Sequence, residues 1–172
     1  MKVIKLLAIL ILILQSGCLC KHGVPPAAGK VIRDGEEMLW GRVDANRLFT
    51  SYPEWKNEYD NYQADTAVIN DIKTDRHLAA EIFFATWCED SQREVPRFLK
   101  INDLLNIFTY DSLRLYAVDR NKQLADDLCS RRNIVKVATF IFYRSGSEIG
   151  RITEYPQDTL ENDMKNICTR TQ

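Results

Sequence analysis

Ile82-Phe83-Phe84-Ala85-Thr86-Trp87-Cys88-Glu89-Asp90-Ser91 is the stretch whose reading decides the fold. An apolar, strand-forming run ends at a Trp-Cys pair, and an amphipathic pattern carrying Pro96 begins directly after it. A cysteine that leaves a buried strand and opens a helix sits where the helix dipole favours a thiolate, a recurrent setting for thiol chemistry. Three residues on, where a second cysteine would complete a Cys-x-x-Cys pair, stands Ser91.

Working outward, the residues that follow read as a helix from Cys88 to about Phe108. Val95, Phe98, Leu99, Ile101, Leu104, Leu105 and Phe108 form its apolar stripe, and Pro96 is expected to kink it. His77 to Phe84 reads as a buried strand, and so does Leu113 to Val118. A short helix is expected from Gln123 to Arg131. Ala138 to Tyr143, a Ser145-Gly146 turn and Glu148 to Ile152 form a hairpin signal. Asp158 and Glu161 resemble a capping box ahead of a terminal helix bearing Leu160, Met164, Ile167 and Cys168. Upstream, Ser51-Tyr52-Pro53-Glu54 reads as another capping box, opening a helix with Trp55, Tyr59, Tyr62, Thr66 and Ile69 on one face. This alternation implies an α/β domain: a three-layer α/β/α sandwich around a central mixed sheet, with a C-terminal β-hairpin and a terminal helix.

The N-terminus has a different character. Lys2 and Lys5 precede an unbroken apolar run from Leu6 to Leu14, followed by Gln15-Ser16-Gly17-Cys18. The run is too short to span a bilayer, which needs about 20 residues, and has the layout of a signal peptide. Ser16-Gly17-Cys18 resembles the lipobox of bacterial lipoproteins, which marks Cys18 for lipid attachment; an ordinary signal peptide cut nearby is the alternative. The expected organisation is a signal peptide over 1–17, a tether over 18–41 containing Pro25-Pro26, and a domain over 42–172. The implied location is the periplasmic or cell-surface side of a bacterial membrane, with secretion or a secretory-pathway lumen as the alternative.

Charge and composition exclude other classes. The whole chain carries a net charge of −1, and without its first 17 residues it has 21 basic against 24 acidic residues, a net of −3. With no basic stripe, nucleic acid is not an expected partner. His22 and His77 are the only histidines, no Cys/His spacing fits a metal site, and no cofactor is implied. Cys20, Cys88, Cys129 and Cys168 are too few and too dispersed for a disulfide-stapled fold.

The order of elements, with Trp87-Cys88 at a strand-to-helix turn and Pro96 eight residues later, resembles the thioredoxin superfamily from about Tyr52 to Cys168. The resemblance implies that Cys88 is the nucleophile, with Trp87 and Ser91 flanking it. It also implies that Val137, Ala138 and Thr139 edge the groove that holds substrate backbone beside the thiol. Three positions depart from the family pattern. Ser91 replaces the resolving cysteine, Ile82 stands where many relatives bury an acid (Glu81 lies beside it), and Ala138 replaces a cis-proline. A cis bond before a non-proline residue costs about 3–4 kcal/mol, so Val137–Ala138 is expected to be trans.

The helix dipole contributes about 0.3–1 kcal/mol toward a Cys88 thiolate, and repulsion from Glu89 and Asp90 offsets it by a similar amount. Ser91 can donate a hydrogen bond to that thiolate but cannot displace a mixed disulfide. Two functions are therefore expected from these residues. In the first, Cys88 exchanges with protein or small-molecule thiols and disulfides, and an external thiol releases it. In the second, the domain is a redox-inactive binding module or adaptor. Cys129 and Cys168 are expected to be buried on opposite faces of the sheet.

Overall fold

The computed structural model describes residues 27–72, 76–109 and 111–169. The signal segment expected over 1–17, Cys18 and Cys20 lie outside them. The described chain runs β1 (Gly29–Arg33), β2 (Glu36–Val43), α1 (Ala45–Ser51), α2 (Pro53–Asn61), α3 (Thr66–Asn70), β3 (Leu78–Phe84) and α4 (Glu89–Leu105). It continues with β4 (Leu113–Ala117), α5 (Leu128–Arg131), β5 (Thr139–Arg144), β6 (Ser147–Thr153) and α6 (Leu160–Cys168). The strands form one sheet in the order β1-β2-β4-β3-β5-β6. β3 and β4 are parallel and the other neighbours antiparallel.

Alternation along the strands divides the interior in two. Ile82 and Phe84 of β3, Leu115 of β4, and Phe140 and Phe142 of β5 face a large core closed by Leu48, Trp55, Ile69, Phe98 and Met164 from α1, α2, α3, α4 and α6. Phe83, Tyr116 and Ile141 face the other way, against Leu124, Leu128, Cys129 and Ile134. On that second face the helical layer is thin, because α5 has only four residues. The helix expected over Gln123 to Arg131 is thus confined to its C-terminal end. The residues before α5 are instead wound around Asp119, whose Oδ1 accepts from the backbone N–H of Asn121 at 3.0 Å and of Gln123 at 2.9 Å.

The tether expected through Gly41 is corrected by the structure: β1 and β2 form a hairpin that joins the sheet through β4. Its turn, Asp34-Gly35, has φ of 54° and 79°. These left-handed residues match the right-handed twist of flanking strands, and Gly35 adopts its value without a Cβ clash.

The single helix expected from Ser51 is two, α2 and α3, and a further helix, α1, precedes them. Ser51 ends α1, so its hydroxyl has no helix start to cap; Asp44 caps α1 by accepting from the Arg47 N–H at 2.7 Å. Pro53 forces the residue before it out of the helical region, and Tyr52 sits at φ −138°, ψ 81°. Asp65 then opens α3, accepting from the Ala67 and Val68 N–H groups. Buried Glu161 of α6 joins the pieces, accepting from Tyr62 Oη at 2.8 Å and Asp65 N at 3.1 Å. The terminal helix starts one residue later than its capping box suggests, with Thr159 as the cap. α4 runs unbroken through Pro96, which is buried. Near its end buried Asn102 clamps Phe108, donating to its carbonyl at 3.1 Å and accepting from its N–H at 2.8 Å.

Candidate functional site

The C-terminal ends of β3 and β4 lie side by side, with Phe84 opposite Ala117 and the Val118 N–H donating to Phe84 O at 2.8 Å. Cys88 stands at this end of the sheet as the N-cap of α4, at φ −100°, ψ 121°. Its carbonyl accepts the first helical hydrogen bond, from Gln92 N at 2.9 Å, and its side chain is partly exposed. The Cys88 thiol donates to the Val137 carbonyl at 3.1 Å. The structure thus brings Cys88 and the 137–139 turn side by side.

The Val137–Ala138 bond is cis, which corrects the trans expectation. The turn is held by one hydrogen bond within it and one from the residue that follows β6. Thr139 Oγ1 donates to Lys136 O at 2.8 Å, and the Glu154 N–H donates to Ala138 O at 2.6 Å. All three members of the trio are buried, and Val137 meets the thiol directly through its carbonyl.

Ser91 makes a structural hydrogen bond of its own. It is fully buried, and its Oγ accepts from the Ala85 N–H at 3.2 Å, tying the first turn of α4 to the end of β3. Trp87 packs partly buried against the second core, with the Arg120 guanidinium 4.9 Å from its ring centroid. Gln92 adds a second clasp on the turn, donating to Thr86 O at 2.9 Å. The two acids after Cys88 are not equivalent. Asp90 accepts from Arg93 at 2.8 Å, whereas Glu89 is exposed.

The other two described cysteines are buried. Cys129 is buried in the second core, where desolvation, followed by Asp126 and Asp119, pushes its thiol up to about 12. Cys168 is fully buried in the first core, on the opposite side of the sheet. Glu81 does not substitute for an acid at the Ile82 position, since adjacent strand residues face opposite ways. Its buried carboxylate is occupied by Arg132, at 2.6 and 3.3 Å, and by Tyr143 Oη at 2.9 Å. Burial first, and then that carboxylate, raise the Tyr143 phenol above its ordinary value.

Two site residues escape a reading of the sequence. Arg120 lies in the loop after β4, and Glu36 lies at the tip of the β1–β2 hairpin. Arg120 Nε donates to Glu36 Oε2 at 2.8 Å, and its Nη2 reaches the same oxygen. Arg33 and Trp40 dock the hairpin on the same loop: Arg33 pairs with buried Asp119 at 3.2 Å, and Trp40 Nε1 donates to Gln123 O at 3.0 Å. Nothing in the local sequence pairs residues so far apart along the chain.

No family model matches the chain. It is 23% identical over 109 residues to a thioredoxin-like protein of Acanthamoeba polyphaga mimivirus, covering 60% of this chain and 76% of that one. A thioredoxin from Malassezia sympodialis is 28% identical over 45% of this chain and 64% of its own, with a TM-score of 0.33. A Pseudomonas aeruginosa protein of unknown function is 14% identical over 73% of this chain and 83% of its own, with a TM-score of 0.48. The fold is α/β and thioredoxin-like, with a mixed sheet, flanking helices, and Cys88 at the junction of β3 and α4.

Proposed function

We propose that this chain is a thiol-disulfide exchange protein working through a single nucleophile, Cys88. One observation carries the reading. Cys88 is partly exposed at the N-terminus of α4 beside the Val137 carbonyl, while position 91 holds a serine and Cys129 and Cys168 are buried. In the first step the Cys88 thiolate attacks one sulfur of a partner disulfide. A Cys88–partner S–S bond forms, the partner's S–S bond breaks, and the other sulfur leaves as a thiolate with the electron pair. In the second step an external thiolate attacks the mixed disulfide and Cys88 leaves as thiolate. The sequence motif and the site geometry support this reading over that of a redox-inactive adaptor.

The test is reduction of a glutathionylated peptide with excess glutathione. The wild-type chain is expected to turn over and Cys88→Ser to lose all protein-dependent rate. Equal rates for the two would favour the adaptor. Export and lipid attachment at Cys18 belong to the same proposal, supported by the apolar run and Ser16-Gly17-Cys18. Fatty-acid labelling of the expressed protein should disappear in Cys18→Ala, and labelling that survives the change contradicts the anchor.

A further inference from the structure

We infer that Arg120 is a specificity-determining residue that receives a carboxylate lying close to the thiol or disulfide of the incoming partner. The inference rests on the exchange function proposed for Cys88. Three loops converge on this end of the sheet for topological reasons. The β3–α4 turn and the loop after β4 leave parallel neighbouring strands at the same end. β2 runs antiparallel to β4, with Gly41 opposite Ala117, so the hairpin tip with Glu36 projects to that end as well.

Arg120 is the point where the three meet. Its guanidinium lies over the ring of Trp87, the residue before the nucleophile, an arrangement that orients the group and leaves its edge available. The edge is only partly used. Nε and Nη2 both address a single oxygen, Oε2 of Glu36, and Nη1 has no hydrogen-bond partner among the described residues. The Arg120 and Glu36 side chains are 43% and 48% exposed, so a pair of this kind is weakly held and open to exchange. An arginine fork matches a carboxylate in two parallel hydrogen bonds, which makes it the natural receiver for an acidic group.

The other charges around Cys88 give Arg120 its selectivity. Asp90 is held by Arg93, Lys136 by Glu154, and Arg33 by Asp119. Glu89 is exposed and takes no ion pair among the described residues. A partner carboxylate placed toward Glu89 is repelled, whereas one placed toward Trp87 meets the guanidinium. Glu36 sets the threshold, because a partner must displace or share it.

The experiment uses the full chain and follows release of thionitrobenzoate from mixed disulfides with three peptides. Their cysteine is flanked by Glu, by Ser or by Lys; the glutathione mixed disulfide is a fourth probe. Cys88 attacks the peptide sulfur, thionitrobenzoate leaves with the electron pair, and the Cys88→Ser rate is subtracted as background. Arg120→Gln should lower the ratio of the Glu-peptide to the Ser-peptide rate about threefold, and Glu36→Gln should raise it about threefold. Arg120→Lys should restore much of the ratio, and about 0.5 M salt should compress all ratios toward one. In the double variant the Glu36→Gln effect should vanish, since it acts through Arg120. A change seen with the glutathione probe alone would assign the carboxylate to a small thiol, and a change across the peptides to a polypeptide. Ratios unmoved by Arg120→Gln, or a Glu36→Gln effect that persists in the double variant, would overturn the inference. No Cys88-dependent release from any probe would overturn the exchange function itself, and the inference with it.

Discussion

Replacing Ser91 by cysteine is expected to turn the chain from a protein that holds its mixed disulfide into one that releases it. Ser91 sits in the first turn of α4, three residues after the N-cap Cys88. A thiol placed there resolves a Cys88 adduct intramolecularly, at an effective molarity of about 10⁵ M or more, against an external thiol present at roughly millimolar levels. The adduct then opens without an external thiol, leaving an internal disulfide that an external reductant must return to the dithiol. Decay of a Cys88–glutathione adduct should be at least about tenfold faster at low external thiol, and the product should be two mass units lighter than the dithiol. The change has a structural cost, because the serine hydroxyl accepts from the Ala85 N–H and sulfur accepts poorly. About 1 kcal/mol of stability should be lost, read as a lower denaturant midpoint. A variant that stays dithiol under oxidant, with wild-type adduct decay, would show that position 91 does not face the reacting sulfur.

Phe98→Ala is expected to be the most damaging single truncation. Phe98 is fully buried on α4, with ring centroids of Phe140, Phe108 and Phe142 at 5.4, 5.9 and 6.1 Å. It fastens the helix that carries Cys88 to β5 and to the segment that follows α4. Removing a buried phenylalanine costs about 3–5 kcal/mol through lost transfer energy and the cavity left behind. That is a large share of the roughly 5–15 kcal/mol that holds a domain together. Leu104→Ala on the same helix should stay within about 0.5 kcal/mol, since Leu104 is 52% exposed. Urea denaturation of the two variants checks the contrast, and similar midpoints would contradict the packing described.

Much of the fold was legible because its signals are local. The run at Ile82 to Phe84, the stripe from Val95 to Leu105 and the Ser145-Gly146 turn each report a periodicity or a turn that neighbouring residues determine. The N-terminal hairpin carries an equally local signal, Asp34-Gly35 between alternating residues. It is masked by the prolines and glycines around it, which favour a tether reading. α2 and α3 read as one helix because their apolar spacing continues across the break before Asp65, and α1 lies upstream of that stripe.

The site was legible as far as Cys88 and the 137–139 turn, which the resemblance brings together and the fold seats at 3.1 Å. The direction of the Ser91 hydroxyl was not, since it depends on an Ala85 N–H left free at the end of β3. Nor was the cis bond at Ala138, which no residue type announces. Arg120 and Glu36 come together only through the register of β2 on β4, a property of the sheet rather than of either segment.

The account stands most directly on the lifetime of the Cys88 adduct. The full wild-type chain is reacted with glutathione disulfide, freed of small thiols and followed by intact mass and peptide mapping. Among the cysteines of the described residues only Cys88 should take up glutathione, and that adduct should persist in the absence of thiol and disappear on addition of reduced glutathione. An adduct that decays to an internal disulfide without added thiol, or one that forms equally in Cys88→Ser, would contradict a lone nucleophile released from outside.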